Sequence, residues 1–326
     1  APKCSACGVP SHRESLTKVG KESLCPYCLD HAKFCSLCGN RISGKYFIAG
    51  ESQEQFCDHC YKTYPRCRAC DRPMRRSSLT EDGVCASCAE KLPRCKACGK
   101  TIVGAYFTVK FKGEYCAECA RSRPDCYACG APVSNIYWKL PDGRFLCESC
   151  KNRSLFREDQ VRTIMNEVVE LAGTRLGLVV KRPWTLRLNK LNTNGQASVN
   201  AARQGLEVAS PISGKEMGIY IERGDYREIV LLYGIPISMI YETAAHEFTH
   251  AWQAENCPPS QSLELREGFA QWVAAQILEV KGFNTTLEKL QSRMDKPYGT
   301  GYQRIARIEA AHGRSGIMEY VRTAAR

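Results

Sequence analysis

Ala244-Ala-His-Glu-Phe-Thr-His-Ala-Trp252 is the stretch that decides how the second half of the chain is read. Residues four apart share one face of a helix, so His246 and His250 bring two imidazoles to one point. Glu247, one step round, reaches the space in front of them. The alanine and tryptophan flanks predict a buried helix, where two unpaired histidines and a glutamate are costly. A zinc ion with one open coordination position satisfies all three. Such a site needs a third protein ligand, and no histidine lies between His250 and His312. Leu265-Arg-Glu-Gly-Phe-Ala-Gln-Trp272 supplies Glu267, with Gly268 expected to let its helix approach the first. Glu264, one turn earlier, competes for the role and is read as a surface charge.

Working outward, Pro236 opens the long helix, Pro258-Pro259 stops it, and a second helix spans 261–280. The rest reads as helical, with a glycine-rich break at Tyr298-Gly-Thr-Gly-Tyr302. Upstream, Thr185–Leu188, Gly218–Ile221 and Ile229–Tyr233 read as strands, with a turn at Asn192–Gly195. Ser154 is placed as the cap of a helix whose stripe is Val161, Ile164, Val168, Leu171 and Leu176.

The chain has 326 residues and 21 cysteines, and all but Cys257 precede residue 151. They form ten C-x2-C pairs, the gap that sets two thiolates on one tetrahedral ion. Paired in sequence they give five Cys4 sites: Cys4/Cys7/Cys25/Cys28, Cys35/Cys38/Cys57/Cys60, Cys67/Cys70/Cys85/Cys88, Cys95/Cys98/Cys116/Cys119 and Cys126/Cys129/Cys147/Cys150. The modules span 1–32, 33–63, 64–92, 93–123 and 124–153, ahead of a domain over 154–326. Leu16, Phe47, Leu79, Phe107 and Trp138 recur nine residues after each second cysteine and are expected to form the small module cores. Each ion then supplies most of its module's folding energy, on the order of 10 kcal/mol. Four thiolates leave no open position, so these sites are structural.

The formal charge is +12, which would suggest a nucleic-acid partner. Residues 1–153 carry 25 Lys/Arg against 15 Asp/Glu, but each Cys4 site holding Zn2+ contributes about −2. The front half is then about neutral, and nucleic acid is not an expected partner. No apolar run reaches the roughly 20 residues of a membrane helix. No secretory leader opens the chain, and a cytoplasmic protein without a membrane partner is expected.

His246-Glu-x-x-His250 followed by Glu267-Gly-Phe-Ala resembles the gluzincin metallopeptidases. The cysteine modules, Tyr233-Gly-Ile-Pro236, His246-Glu-x-x-His-Ala-Trp252, Glu267-Gly268 and Tyr298-Gly-x-Gly301 together resemble the LIM-domain, ubiquitin-activated peptidases that limit organ size in plants, and their bacterial relatives. The chain departs from that family in its all-cysteine modules and in having no ubiquitin-interacting motif. The resemblance implies an α+β chain: five LIM-like or zinc-ribbon modules, then a minimal gluzincin domain. It also implies protein substrates and, in a eukaryote, ubiquitin or ubiquitinated proteins as partners.

The expected activity is zinc-dependent peptide hydrolysis, of endopeptidase type, with the modules recruiting substrate or regulating access. Zn2+, one catalytic and five structural, is the cofactor. His246, His250 and Glu267 hold the catalytic ion and Glu247 is the general base. Tyr298, Tyr302 and His312 are the candidate oxyanion donors. A strand at Gly218–Ile221 or Ile229–Tyr233 aligns the peptide. Two other readings compete: a non-catalytic scaffold, which would be expected to lose Glu247 or a ligand, and a SprT-type DNA-associated protease, which uses a third histidine and places its zinc module afterwards.

Overall fold

The computed structural model describes residues 1–51, 53–189 and 217–324. The Asn192–Gly195 turn lies outside them. The chain divides into two compact units, Ala1–Arg123 and Pro124–Arg326.

The first unit holds modules one to four. In each, the first cysteine pair sits on a tight turn whose next residue is left-handed: Gly8 (φ 72°), Gly39 (φ 71°), Asp71 (φ 59°) and Gly99 (φ 76°). That conformation curls the backbone around the thiolates and favours glycine, or aspartate at lower cost. A short antiparallel hairpin follows in modules one, two and four, such as Tyr46–Ala49 against Glu54–Cys57. Module three has the Leu79–Cys85 bridge at that place. The third cysteine then stands at the N-cap of a six-residue helix that carries the fourth.

The module cores differ from the expectation. Phe107 is 55% exposed, and Leu16, Phe47, Leu79 and Trp138 are only partly covered. The buried residue is the one just before each third cysteine: Leu24, Phe56, Val84, Tyr115 and Leu146. That residue packs against the cysteines, as Phe56 does on Cys35 and Cys60, whereas its cross-strand partner in modules two, four and five, Phe47, Phe107 or Trp138, stays partly or largely exposed.

The second unit contains the fifth module and the remaining chain, a mixed α/β body. Helix α1 (Glu158–Leu176) buries Val161, Ile164, Val168 and Leu176 as the stripe predicts. Its N-cap is Arg157 and not Ser154, because Ser154–Leu155 forms a short strand against Ile235–Pro236. Strands β1 (Thr185–Asn189), β2 (Gly218–Arg223) and β3 (Tyr226–Leu232) follow. The sheet order is β1-β3-β2, parallel between β1 and β3 and antiparallel between β3 and β2. Then come α2 (Ile237–Asn256), α3 (Leu263–Val280, capped by Ser262), α4 (Asn284–Gln291) and α5 (Tyr298–Thr323). Trp252, Phe248, Phe269 and Trp272 fill the core between α2 and α3. Among the described residues, no helix is long and apolar enough to cross a membrane.

Tyr298-Gly-Thr-Gly-Tyr302 is not a break. It is the first turn of α5, and the kink in that helix lies at Gly313. The glycines serve close packing: a Cβ on Gly268 would meet the Gly301 carbonyl carbon at 2.3 Å. Gly268 therefore brings α3 against α5, and not against α2 as expected.

The fifth module is built into this unit. Tyr233 completes its small core with Val133, Leu140 and Leu146. The buried Arg144 is clamped by Asp142 and donates from Nη2 to the Tyr233 carbonyl at 2.7 Å. Tyr127 and Tyr233 flank its guanidinium at 4.8 and 5.4 Å. The Ile237 N–H, first in α2, donates to the Arg153 carbonyl at 2.8 Å, so the module's end satisfies a donor that a helix start leaves orphaned.

Candidate metal centre

The five Cys4 groups assemble in sequence, as the fixed spacing predicts, with sulfurs within 4.8 Å of one another. Cys7–Cys25, Cys98–Cys116 and Cys129–Cys147 sulfurs lie 3.9, 4.0 and 3.9 Å apart. A tetrahedral ion with Zn–S of about 2.3 Å sets its ligands about 3.8 Å apart, so these groups could each hold zinc. Backbone donors prepare the first thiol of a site: N–H groups of Cys25 and Cys7 hold Cys4 down to about 6.

A second kind of cluster lies between α2 and α3. The His246 and His250 Nε2 atoms are 3.0 Å apart. Glu267 Oε2 lies 3.1 Å from the first and 3.5 Å from the second. Glu267 is fully buried. Burial alone would raise its pKa, but the histidines beside it outweigh that and hold the carboxyl well below the usual range. Glu264 stays partly exposed on the first turn of α3, outside this cluster.

The tautomer of His250 follows from a residue that sequence reasoning missed. His250 Nδ1 is 2.8 Å from Gln253 Oε1, which can only accept, so Nδ1 carries the proton and Nε2 offers its lone pair. Gln253 is itself held, because its Nε2 donates to the Arg266 carbonyl at 3.0 Å. One amide thus orients a histidine on α2 and ties it to the residue preceding Glu267 on α3.

Glu247 lies beside the cluster. Burial pushes its carboxyl up, while the charges of His246 and His250 oppose that, and the Tyr220 backbone N–H faces it. This arrangement requires Gly218, a second missed position. A Cβ there would meet Thr243 Cγ2 at 2.4 Å and Glu247 Cγ at 3.0 Å, so only glycine lets β2 run this close to α2. Strand β2 keeps one edge unpaired among the described residues. The other strand expected to align a peptide, around Ile229–Tyr233, is the central β3, whose backbone is taken on both sides.

The three candidate oxyanion donors separate. Tyr298 sits with its ring centroid 6.0 Å from that of His246. Tyr302, one turn on, is buried in the core. His312 is exposed near the α5 kink, about 20 Å further along the helix, and is not brought to the cluster. Cys257 ends α2, and burial pushes its thiol up to about 11, so it stays protonated.

Five Cys4 clusters that fit LIM-like zinc modules thus stand beside a mixed α/β body that carries a two-histidine, one-glutamate cluster. A family model described as DA1-like, protein DA1, matches residues 212–304, which include His246, His250, Glu267 and Tyr298. The match covers less than half of the chain and supports the DA1 family, in keeping with the resemblance read from the sequence. No curated protein matches the chain.

Proposed function

We propose that the chain is a zinc-dependent endopeptidase of the gluzincin kind, with its LIM-like modules recruiting protein substrates or regulating access. The observation that carries this reading is the meeting of His246, His250 and Glu267 at 3.0–3.5 Å. A tetrahedral ion with ligands at about 2.0–2.1 Å separates them by about 3.3 Å, so the donor set fits. The chemistry fits as well. With Nδ1 protonated, His250 aims a lone pair at a carboxylate oxygen and another imidazole, an arrangement that favours a cation between them.

His246, His250 and Glu267 would hold the ion, which when bound polarises a scissile carbonyl and acidifies water. Glu247 takes a proton on its carboxylate and returns it to the leaving amine. Tyr298 donates from its hydroxyl to the developing oxyanion. The free edge of β2 pairs with an extended peptide and carries it past the cluster in mid-chain, which suits internal cleavage. Protein substrates follow from this reading, and ubiquitin or ubiquitinated proteins are the partners proposed for a eukaryotic host.

Metal analysis with hydrolysis assays tests it. Six zinc ions per chain are expected, and Glu247→Gln should keep all six while turnover falls roughly a hundredfold or more. Five ions, or near-normal turnover in Glu247→Gln, would overturn the assignment.

A further inference from the structure

Next to the metal cluster, behind Gln253, lies an open cleft of about 720 Å³ between the end of α2, the start of α3 and strand β2. Its charge is one-sided. Arg182, Arg227 and Arg266 line it with one carboxylate, Glu222, and a second, Glu255, stands nearby with its oxygens taken by the Lys181 and Arg182 backbone N–H groups. Arg227 is spent: its Nε is 2.9 Å from Glu222, and its other nitrogens donate to the Gly224 and Asp225 carbonyls. Arg182 shares the same carboxylate at 3.3 Å and stays half exposed. Arg266 is partly exposed and makes no side-chain hydrogen bond or ion pair with any described residue. Two buried polar atoms on the cleft wall also lack hydrogen bonds. They are the Tyr220 hydroxyl, which Glu222 approaches without completing one, and Gln261 Oε1. Both residues are at most 5% exposed. The cleft thus offers a free guanidinium, a second one half neutralised, a hydroxyl donor and one acceptor.

Three of its lining residues adjoin the His/Glu cluster. Gln253 holds His250, Tyr220 turns its backbone N–H to Glu247, and Arg266 precedes Glu267. We propose that this cleft is a substrate subsite that takes a carboxylate of the bound peptide, with Arg266 as the principal anchor, Arg182 and the Tyr220 hydroxyl completing the cradle, and Gln261 Oε1 accepting a peptide N–H. The planar fork of arginine suits a carboxylate in two-point contact, and the half-buried setting strengthens it over a surface pair. The subsite deepens the peptidase reading and rests on it: the peptide that reaches Glu247 is selected by an acidic group elsewhere along it. That group is either an Asp or Glu side chain or the chain terminus.

The test uses the full, zinc-loaded chain in two arms. In the first, matched peptides carry Glu or Gln at each position around the scissile bond, with free or amidated C-termini. One carboxylate should raise kcat/KM roughly tenfold or more over its amide. Arg266→Gln should bring that ratio close to one with six zinc ions retained, and Arg182→Gln should lower it in part. An effect confined to internal Glu marks a side-chain subsite, and one confined to the free C-terminus marks a terminus subsite; either supports the proposal. Cleavage indifferent to every carboxylate, or a ratio unmoved in Arg266→Gln, overturns it and leaves the peptidase reading standing. In the second arm, N-acetylglutamate and N-acetylglutamine are titrated by NMR, which needs no turnover. Preferential binding of the acid, lost in Arg266→Gln, supports the subsite even if no peptide is cut. Equal binding in the unaltered chain overturns it.

Discussion

Gln253 acts through a rotamer that reaches His250 on one side and a carbonyl of the neighbouring helix on the other. Gln253→Leu removes the acceptor for His250 Nδ1 and leaves the Arg266 carbonyl without its donor. The ion at the His/Glu cluster should then bind roughly 10–100-fold more weakly, with the Cys4 ions unaffected, as read by competition with a chelator. Unchanged affinity would show that Gln253 merely packs. No periodicity encodes such a rotamer, whereas His246, His250 and Glu267 were legible in the sequence because helical spacing and the cost of burying unpaired charge depend only on residue type and order. Tyr298→Phe should lower kcat by roughly a hundredfold while KM stays close to normal. Tyr302→Phe should alter kcat little, and a larger loss there would exchange the two tyrosines.

At the level of elements, the helices and strands of the second unit followed from apolar periodicity to within a few residues. The errors share a cause. Glycine was read by its local preference, as a breaker at Tyr298–Tyr302, whereas helix-on-helix packing demanded it. Likewise the module cores were sought on the first strand of the hairpin instead of the second, although the apolar residue before each third cysteine recurs five times in the sequence. Gly268→Ala tests the packing account. The added methyl has no room against the Gly301 backbone, so the chain should lose about 1–3 kcal/mol of stability. Thermal unfolding of the second unit measures it, and activity should fall with it as Glu267 is displaced. A neutral substitution would mean that the helices can part without cost.

For the whole molecule, cysteine spacing set the module count and their sequential pairing, and the sequence leaves no linker between Cys150 and Ser154, which already sets the fifth module apart from its neighbours. That difference lies in contacts made far along the chain, by Tyr233, Gly234 and Ile237. A chain shortened to 124–326 should fold, bind two zinc ions and cleave short unstructured peptides at least as fast as the full chain. One beginning at 154 loses the Arg153 carbonyl and the Arg144 clamp on Tyr233, and should express as a poorly folded species by circular dichroism. Equal stability of the two would remove the fifth module from the structural frame. On a folded protein substrate, the 124–326 chain should slow if modules one to four recruit and quicken if they shade the cleft.

The bond from Arg153 to the first turn of α2, with the short strand pairing beside it, also bears on how such chains are assembled over evolution. Repeats that look interchangeable invite exchange at any boundary. A crossover at 153/154 would put a foreign peptide where α2 needs a carbonyl and Tyr233 needs a lid. A crossover ahead of Pro124 disturbs none of these contacts. Lineages that gain, lose or replace repeats should therefore keep the last one as part of the inherited α/β body, whatever stands before it.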